Sequence, residues 1–187
     1  MRGQIVILTG ERGAGKSTVC RKIIALAREN GYSCSGLLTE NLPGNTLDLL
    51  DVRSGDVRRL TLKPGDESGL IQGRFGFDLQ ALAWGNSVLA RSTPCDLLVV
   101  DELGPLEIER QTGLLHAFDV LSRNGFSLAL VVIRSELLIK TQCRLPSSAT
   151  TVLHATPDDR DTLPASILEM LDDGSGLQNH HTQGNAP

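Results

Sequence analysis

Apolar positions along the chain gather in short β-rich runs, separated by stretches with helical spacing. Gln4 to Thr9, QIVILT, has the pattern of a strand covered on both faces. A glycine-rich turn, Gly10 to Gly15, follows. Val19, Ile23, Ile24 and Leu26 then predict a helix over Lys16 to Asn30, with Gly31 just past its end. Ser33 to Glu40 reads as a second strand, and Pro43-Gly44-Asn45 as a turn. Thr46 to Val52 and Val57 to Leu62 flank Ser54-Gly55-Asp56 and predict a hairpin. Lys63 to Phe77 is rich in glycine and charge and reads as a loop. Beyond it a helix is expected over Asp78 to Ala90, with Asp78 as its N-cap. A buried strand follows over Asp96 to Asp101, then a helix over Leu114 to Leu121, then a core strand over Ser127 to Ile133. The last elements are a helix over Glu136 to Arg144, a short strand over Thr150 to Leu153, and a helix over Thr162 to Asp172.

Strands and helices alternate from Asp78 onward, which predicts a parallel α/β sheet with helices on both faces. The hairpin is then an antiparallel addition at one edge. The 187 residues suit one domain, expected over residues 1–173, with 174–187 as a flexible polar tail. Trp84 is expected in core or interface packing, and His180-His181 as exposed tail composition rather than a metal pair.

Composition narrows the function classes. Aromatic residues are 3% of the chain, too few for the stacking platforms of a single-strand nucleic-acid binder. The net charge of −4 offers no basic field for a nucleic-acid backbone, so nucleic acid is not an expected partner. No apolar run approaches the roughly 18 residues of a membrane span. The opening MRGQIVILTG runs into the glycine turn with no cleavage site, unlike a secretory signal. Cys20, Cys34, Cys95 and Cys143 are widely spaced, without a CxxC pair. They read as reduced thiols in a cytoplasmic protein, with a monomer the favoured state.

Gly10-Glu11-Arg12-Gly13-Ala14-Gly15-Lys16-Ser17 matches G-x-x-x-x-G-K-[ST], between a buried strand and an amphipathic helix as that motif requires. Backbone N–H groups of the loop and the helix N-terminus form a seat for phosphate oxygens. Lys16 is placed for the β and γ phosphates, Ser17 for Mg²⁺, and Thr18 for the α-phosphate end. Asp101 and Glu102 close the DLLVVD run, at the carboxyl end of a strand where ligands of open α/β sheets bind. Asp101 is a candidate second holder of Mg²⁺, and Glu102 a candidate base that polarises the attacking water. Gly104-Pro105 reads equally as a turn or as a sensor of nucleotide state.

Arg12, Arg134, Arg144 and Arg160 are candidates for charge on the transferring phosphate. Each is better read as a surface residue, and Arg134 stands out because it leaves the end of a central strand. Thr156 to Asp161, TPDDRD, reads either as a base contact or as a capping turn for the last helix.

ILTGERGAGKST, GLLTE, the hairpin with Ser54-Gly55, and LLVVDELGPLE stand in one order between Gln4 and Asp172. Arg144-Leu145-Pro146 and TPDDRD continue it. With these stretches the chain resembles the cancer-related nucleoside-triphosphatase family, small P-loop proteins found also in thermophilic bacteria and archaea. It departs from that pattern at Pro105 and Leu106. The resemblance implies a P-loop NTPase fold: three layers, α/β/α, with a mainly parallel sheet and an antiparallel hairpin addition. It implies Mg²⁺-dependent hydrolysis of nucleoside triphosphates, ATP and GTP among them, to diphosphate and phosphate with broad base tolerance. Lys16, Ser17, Asp101 and Glu102 take the roles given above. Two alternatives stay open from the residues alone. One is a kinase with Arg134 to Arg144 as a short lid; the other is a nucleotide-gated switch with slow turnover.

Overall fold

The structure, a computed structural model, describes residues 3–63, 65–66, 68–145 and 150–179. Strands β1 (Gln4–Thr9), β2 (Cys34–Leu42), β3 (Thr46–Asp51), β4 (Val57–Arg59), β7 (Cys95–Leu103), β8 (Phe126–Ile133) and β9 (Thr150–His154) form one seven-stranded sheet, in the order β4-β3-β2-β7-β8-β1-β9. The run from β2 through β7, β8 and β1 to β9 is parallel. The β2–β3 and β3–β4 pairs are antiparallel and form the expected edge addition.

Alternation along the central strands divides the core in two. Ile5 and Ile7 of β1, Leu98 and Val100 of β7, and Ala129 and Val131 of β8 face one side. There they meet α2 (Leu79–Ala90) through Ala81 and Leu82, and α4 (His116–Arg123) through Ala117 and Val120. Val6, Leu8, Val99 and Leu130 face the other side and meet α1 (Lys16–Glu29) and α6 (Leu163–Asn179). Both faces are covered, so β8 is buried along its whole length. The three-layer expectation holds.

Several boundaries differ from the sequence expectation. Lys63 to Phe77 is not all loop: β5 (Leu70–Gln72) and β6 (Phe75–Phe77) pair as a small antiparallel sheet. It is pinned to the exit of β4 by Leu62 N–H on the Gly76 carbonyl at 2.8 Å, and Asp78 N–H on the Leu60 carbonyl at 2.9 Å. Gly104-Pro105 opens a short helix, α3 (Pro105–Ile108). The expected Glu136 to Arg144 helix is a 3₁₀ turn, Ser135–Leu137, followed by α5 (Leu138–Gln142). The last helix does not stop at Asp172: α6 runs to Asn179, so the first part of the segment read as a tail is helical. His180 and His181 lie outside the described residues. Asp78 caps α2 as expected, accepting from the N–H groups of Gln80 and Ala81 at 2.6 and 3.0 Å. Trp84 is partly buried against the core, with the Arg58 guanidinium over its ring.

Candidate active site

The loop after β1 turns into α1 through Gly15, at φ +95°, a left-handed conformation that favours glycine. The stem of Arg160 lies so close that a Cβ on Gly15 would stand 2.8 Å from its Cδ. The Lys16 ammonium reaches back over the loop and donates to the carbonyls of Gly10 and Glu11 at 2.7 and 2.8 Å. No side chain caps the start of α1, which leaves its first backbone N–H groups to a ligand. Ala14 differs from its neighbours: its methyl packs into the core, so only its backbone belongs to the loop.

Across the sheet edge, β7 carries Asp101 and Glu102. Asp101 is 2% exposed. Its Oδ2 is a buried polar atom without a hydrogen-bond partner. Burial, and then the Glu102 charge, push its pKa from the ordinary 3.8 up to about 7, against the opposing Ser17 hydroxyl, Thr39 amide and Arg21. The Thr39 hydroxyl of β2 donates to the Asp101 carbonyl and fixes the end of β7. An unpartnered buried carboxylate oxygen is costly. Beside the Ser17 hydroxyl, it fits a hard cation that takes few protein ligands and completes its shell with phosphate and water oxygens. Among the described residues, no cluster of three or more His, Cys, Asp or Glu offers an alternative metal site.

Glu102 is half-buried, and its Oε1 accepts from Arg134 Nε at 2.5 Å. Arg134 follows the last residue of β8, the strand between β7 and β1. Thr9 at the end of β1 donates to Ser135 Oγ at 3.4 Å and ties the two strand ends together. The loop, Glu102 and Arg134 therefore line one cavity of about 760 Å³.

Gly10, Glu11, Arg12, Gly13, Gly15, Lys16, Ser17 and Thr18 all line it, and Asp101 lies behind them in the core. The other arginine candidates stand elsewhere. Arg144 donates to the Glu107 carbonyl at 2.9 Å and stacks over Phe118 at 3.9 Å. Arg160 flanks Gly15 outside the cavity lining. TPDDRD forms a turn ahead of α6: Asp159 Oδ1 accepts from Thr156 N–H at 2.7 Å, and Thr156 Oγ1 accepts from Asp159 N–H at 3.3 Å. Gly104 is likewise tied into structure. The buried Glu107 carboxylate accepts from the N–H groups of Gly104 and Leu114, both at 2.9 Å, while burial raises its pKa.

Thr39 was not singled out by residue type; Phe75 and Phe77 of β6 stood out in the sequence only as aromatics able to stack on a base, and both line the cavity. Thr39 sits inside GLLTE, a stretch that carried the resemblance, but its bond to β7 depends on strand order. Cys20, Cys34 and Cys95 are buried free thiols with pKa values raised by burial, Cys95 to about 12, and Cys143 is an exposed free thiol. None lines the cavity.

The sequence profile of the NTPase family matches residues 5–168. The chain belongs to that family. A nucleoside-triphosphatase THEP1 from Methanopyrus kandleri is 28% identical over 169 residues, 88% of this chain and 93% of the relative. Two solved structures share the fold of this NTPase-family member. The human cancer-related nucleoside triphosphatase superposes with a TM-score of 0.70 at 23% identity, over 91% of this chain and 98% of the other. THEP1 from Aquifex aeolicus superposes with a TM-score of 0.67 at 21% identity, over 89% and 98%. Among the described residues no helix is long and apolar enough to cross a membrane.

Proposed function

We propose that this chain is a Mg²⁺-dependent nucleoside-triphosphatase that converts ATP, GTP and other triphosphates to diphosphate and phosphate. The observation that carries the reading is the buried Asp101 carboxylate beside Ser17, whose Oδ2 has no partner, with Glu102 next in the strand and facing the phosphate-loop cavity. The names of the relatives support it, and the loop supplies the rest of the machinery. The loop N–H groups and Lys16 bind and orient the phosphate chain. Ser17 and Asp101 hold Mg²⁺, which when bound neutralises charge on the β and γ phosphates. Glu102 takes a proton from the attacking water as its oxygen bonds to the γ-phosphorus and the bond to the bridging oxygen breaks. Arg134, now on Glu102, is within the same cavity to meet charge on the transferring group. Broad base tolerance is supported by the loop after β9, where the Thr156 and Asp159 side chains each accept from the other's backbone N–H.

The test is phosphate release from ATP, GTP, CTP and UTP, with and without Mg²⁺, by the natural chain and by Glu102→Gln. Release is expected from all four, only with Mg²⁺. Glu102→Gln is expected to lower it by about 10²–10⁴-fold, the usual worth of a general base, while nucleotide binding persists. Undiminished release by Glu102→Gln would overturn the assignment.

A further inference from the structure

The cavity at the phosphate loop continues past Glu102, and its walls change character along the carboxyl edge of the sheet. In strand order the edge presents the Thr156–Asp161 loop after β9, the phosphate loop after β1, Arg134 after β8, and Glu102 at β7. Next come Asn41 of β2 with its cross-strand partner Leu47 of β3, and Leu60 after β4. β1 and β7 are two strands apart, about 10 Å at the usual sheet spacing. A triphosphate with its terminal phosphate at Glu102 thus turns its nucleoside end toward β9 and away from β2–β4.

On the β2–β4 side the same cavity is walled by Leu47, Leu60, Phe77, Leu82 and Leu114. The attack of water uses none of this apolar surface. The polar groups of the same lining are Thr39 and Asn41 of β2, Glu107 of α3, and Gln72 and Arg74 of the β5–β6 hairpin. The hairpin is anchored, since Arg110 donates to the Ile71 carbonyl at 2.6 Å and to Gln72 Oε1 at 3.3 Å. The Arg74 guanidinium lies 4.9 Å over the Phe75 ring and presents a flat cationic group beside an aromatic face. The total volume of about 760 Å³ is in the upper part of the roughly 300–1,000 Å³ range of ligand pockets. An apolar wall with a few convergent polar groups is the make-up of a small-molecule site.

We infer that this lobe seats a second substrate, a small planar molecule carrying a hydroxyl, which accepts the terminal phosphoryl group in competition with water. The inference rests on the proposed reading of Glu102 as base. The acceptor oxygen bonds to the γ-phosphorus while the bond from that phosphorus to the β–γ bridging oxygen breaks. The hydroxyl proton passes to the Glu102 carboxylate, and the products are a nucleoside diphosphate and a phosphate monoester. Hydrolysis is then the reaction of the same site when water fills the lobe.

The full chain is incubated with Mg²⁺ and ATP plus one alcohol at a time: thymidine, adenosine, 3-pyridinemethanol or benzyl alcohol. ADP and inorganic phosphate are counted separately, and ³¹P NMR follows the ester. With at least one alcohol, ADP is expected to exceed phosphate, the difference appearing as monoester. Leu47→Trp, which narrows the lobe, and Phe77→Ala, which removes one wall, should each return the ratio to one, whatever their overall rates. A ratio of one with every alcohol overturns the inference and leaves the hydrolase reading intact. So does an excess that both variants leave unchanged. Ester formation without any phosphate release in the absence of alcohol would overturn the hydrolase reading instead.

Discussion

Burial, and after it the neighbouring Glu102 charge, hold the Asp101 pKa at about 7 in the folded chain, against 3.8 ordinarily. Each pH unit of that difference is 1.36 kcal/mol, so the ionised buried carboxylate costs the fold about 4 kcal/mol. The sign follows from proton binding. Between pH 3.8 and 7 the folded state holds this proton more tightly than the unfolded state does. Stability from the protonated form is therefore complete below the unfolded value and lost as the pH rises through 7. Asp101→Asn is neutral at every pH and escapes that cost. It introduces an amide where Oδ2 has no partner, at roughly 1–3 kcal/mol. The variant should thus be about 2 kcal/mol more stable than the natural chain at pH 8, and no more stable at pH 4. Urea denaturation with EDTA, at intervals from pH 4 to 8, measures the difference. It should grow by about 4 kcal/mol across the series and level off above pH 7. A difference that does not change with pH would refute the reasoning. The same variant is expected to lose phosphate release by about 10²-fold or more, because its amide carries no charge for Mg²⁺. Stability gained where function is lost marks strain kept for the reaction.

Arg134→Ala removes an exposed ion pair worth about 0–1 kcal/mol, so its melting temperature should barely move. Its kcat should fall by about 10³-fold if Arg134 meets the transferring phosphate, and an unchanged kcat in steady-state assays would exclude that role. Lys16→Ala deletes the ammonium that bridges the Gly10 and Glu11 carbonyls. Fluorescent nucleotide titration should show affinity reduced by about 10-fold or more, since charged hydrogen bonds contribute about 1.5–3 kcal/mol each. At Gly36, with φ +113°, a Cβ would stand 1.9 Å from the Val99 carbonyl oxygen. Gly36→Ala should therefore lose about 3 kcal/mol or more in denaturant titration, and a neutral result would mean that β2 and β7 can move apart there.

The central strands were legible because their surroundings leave no ambiguity. β1, β7 and β8 have helices on both faces, so their sequences are unbroken apolar runs. The hairpin at 70–77 was not legible, because three-residue strands are too short to display a period of two. Its register comes from bonds to Leu62 and Arg110, which are set by tertiary contact. The end of α6 was hidden for a different reason. Gly174 and Gly176 carry poor helix propensity, yet the helix continues over them, an override by context. Gly174 lies against β8, where a Cβ would stand 3.5 Å from the Ser127 carbonyl oxygen.

The site divides along the same line between local and distant. Gly10 to Thr18 is contiguous, so the proposal of a phosphate seat there needs only the spacing. Asp101 and Glu102 were legible once the run before them was recognised as a buried strand. The contact of Glu102 with Arg134 was not, since it requires β8 to lie beside β7 and to end at the same height. That order places β8 between the phosphate loop and the acids. Were β1 and β7 adjacent, their ends would be about 5 Å apart, and there would be no strand from which an arginine could enter between them. The apolar lobe is more remote still from local pattern, because Leu47, Leu82 and Leu114 each read as ordinary core positions in their own elements. The β2–β7 pairing carries β3 to the far side of Glu102 and makes Leu47 a wall of the cavity, where Leu82 of α2 and Leu114 before α4 meet it. A residue's role at the carboxyl edge is thus fixed by the position of its strand across the sheet, a property that periodicity along one strand does not encode.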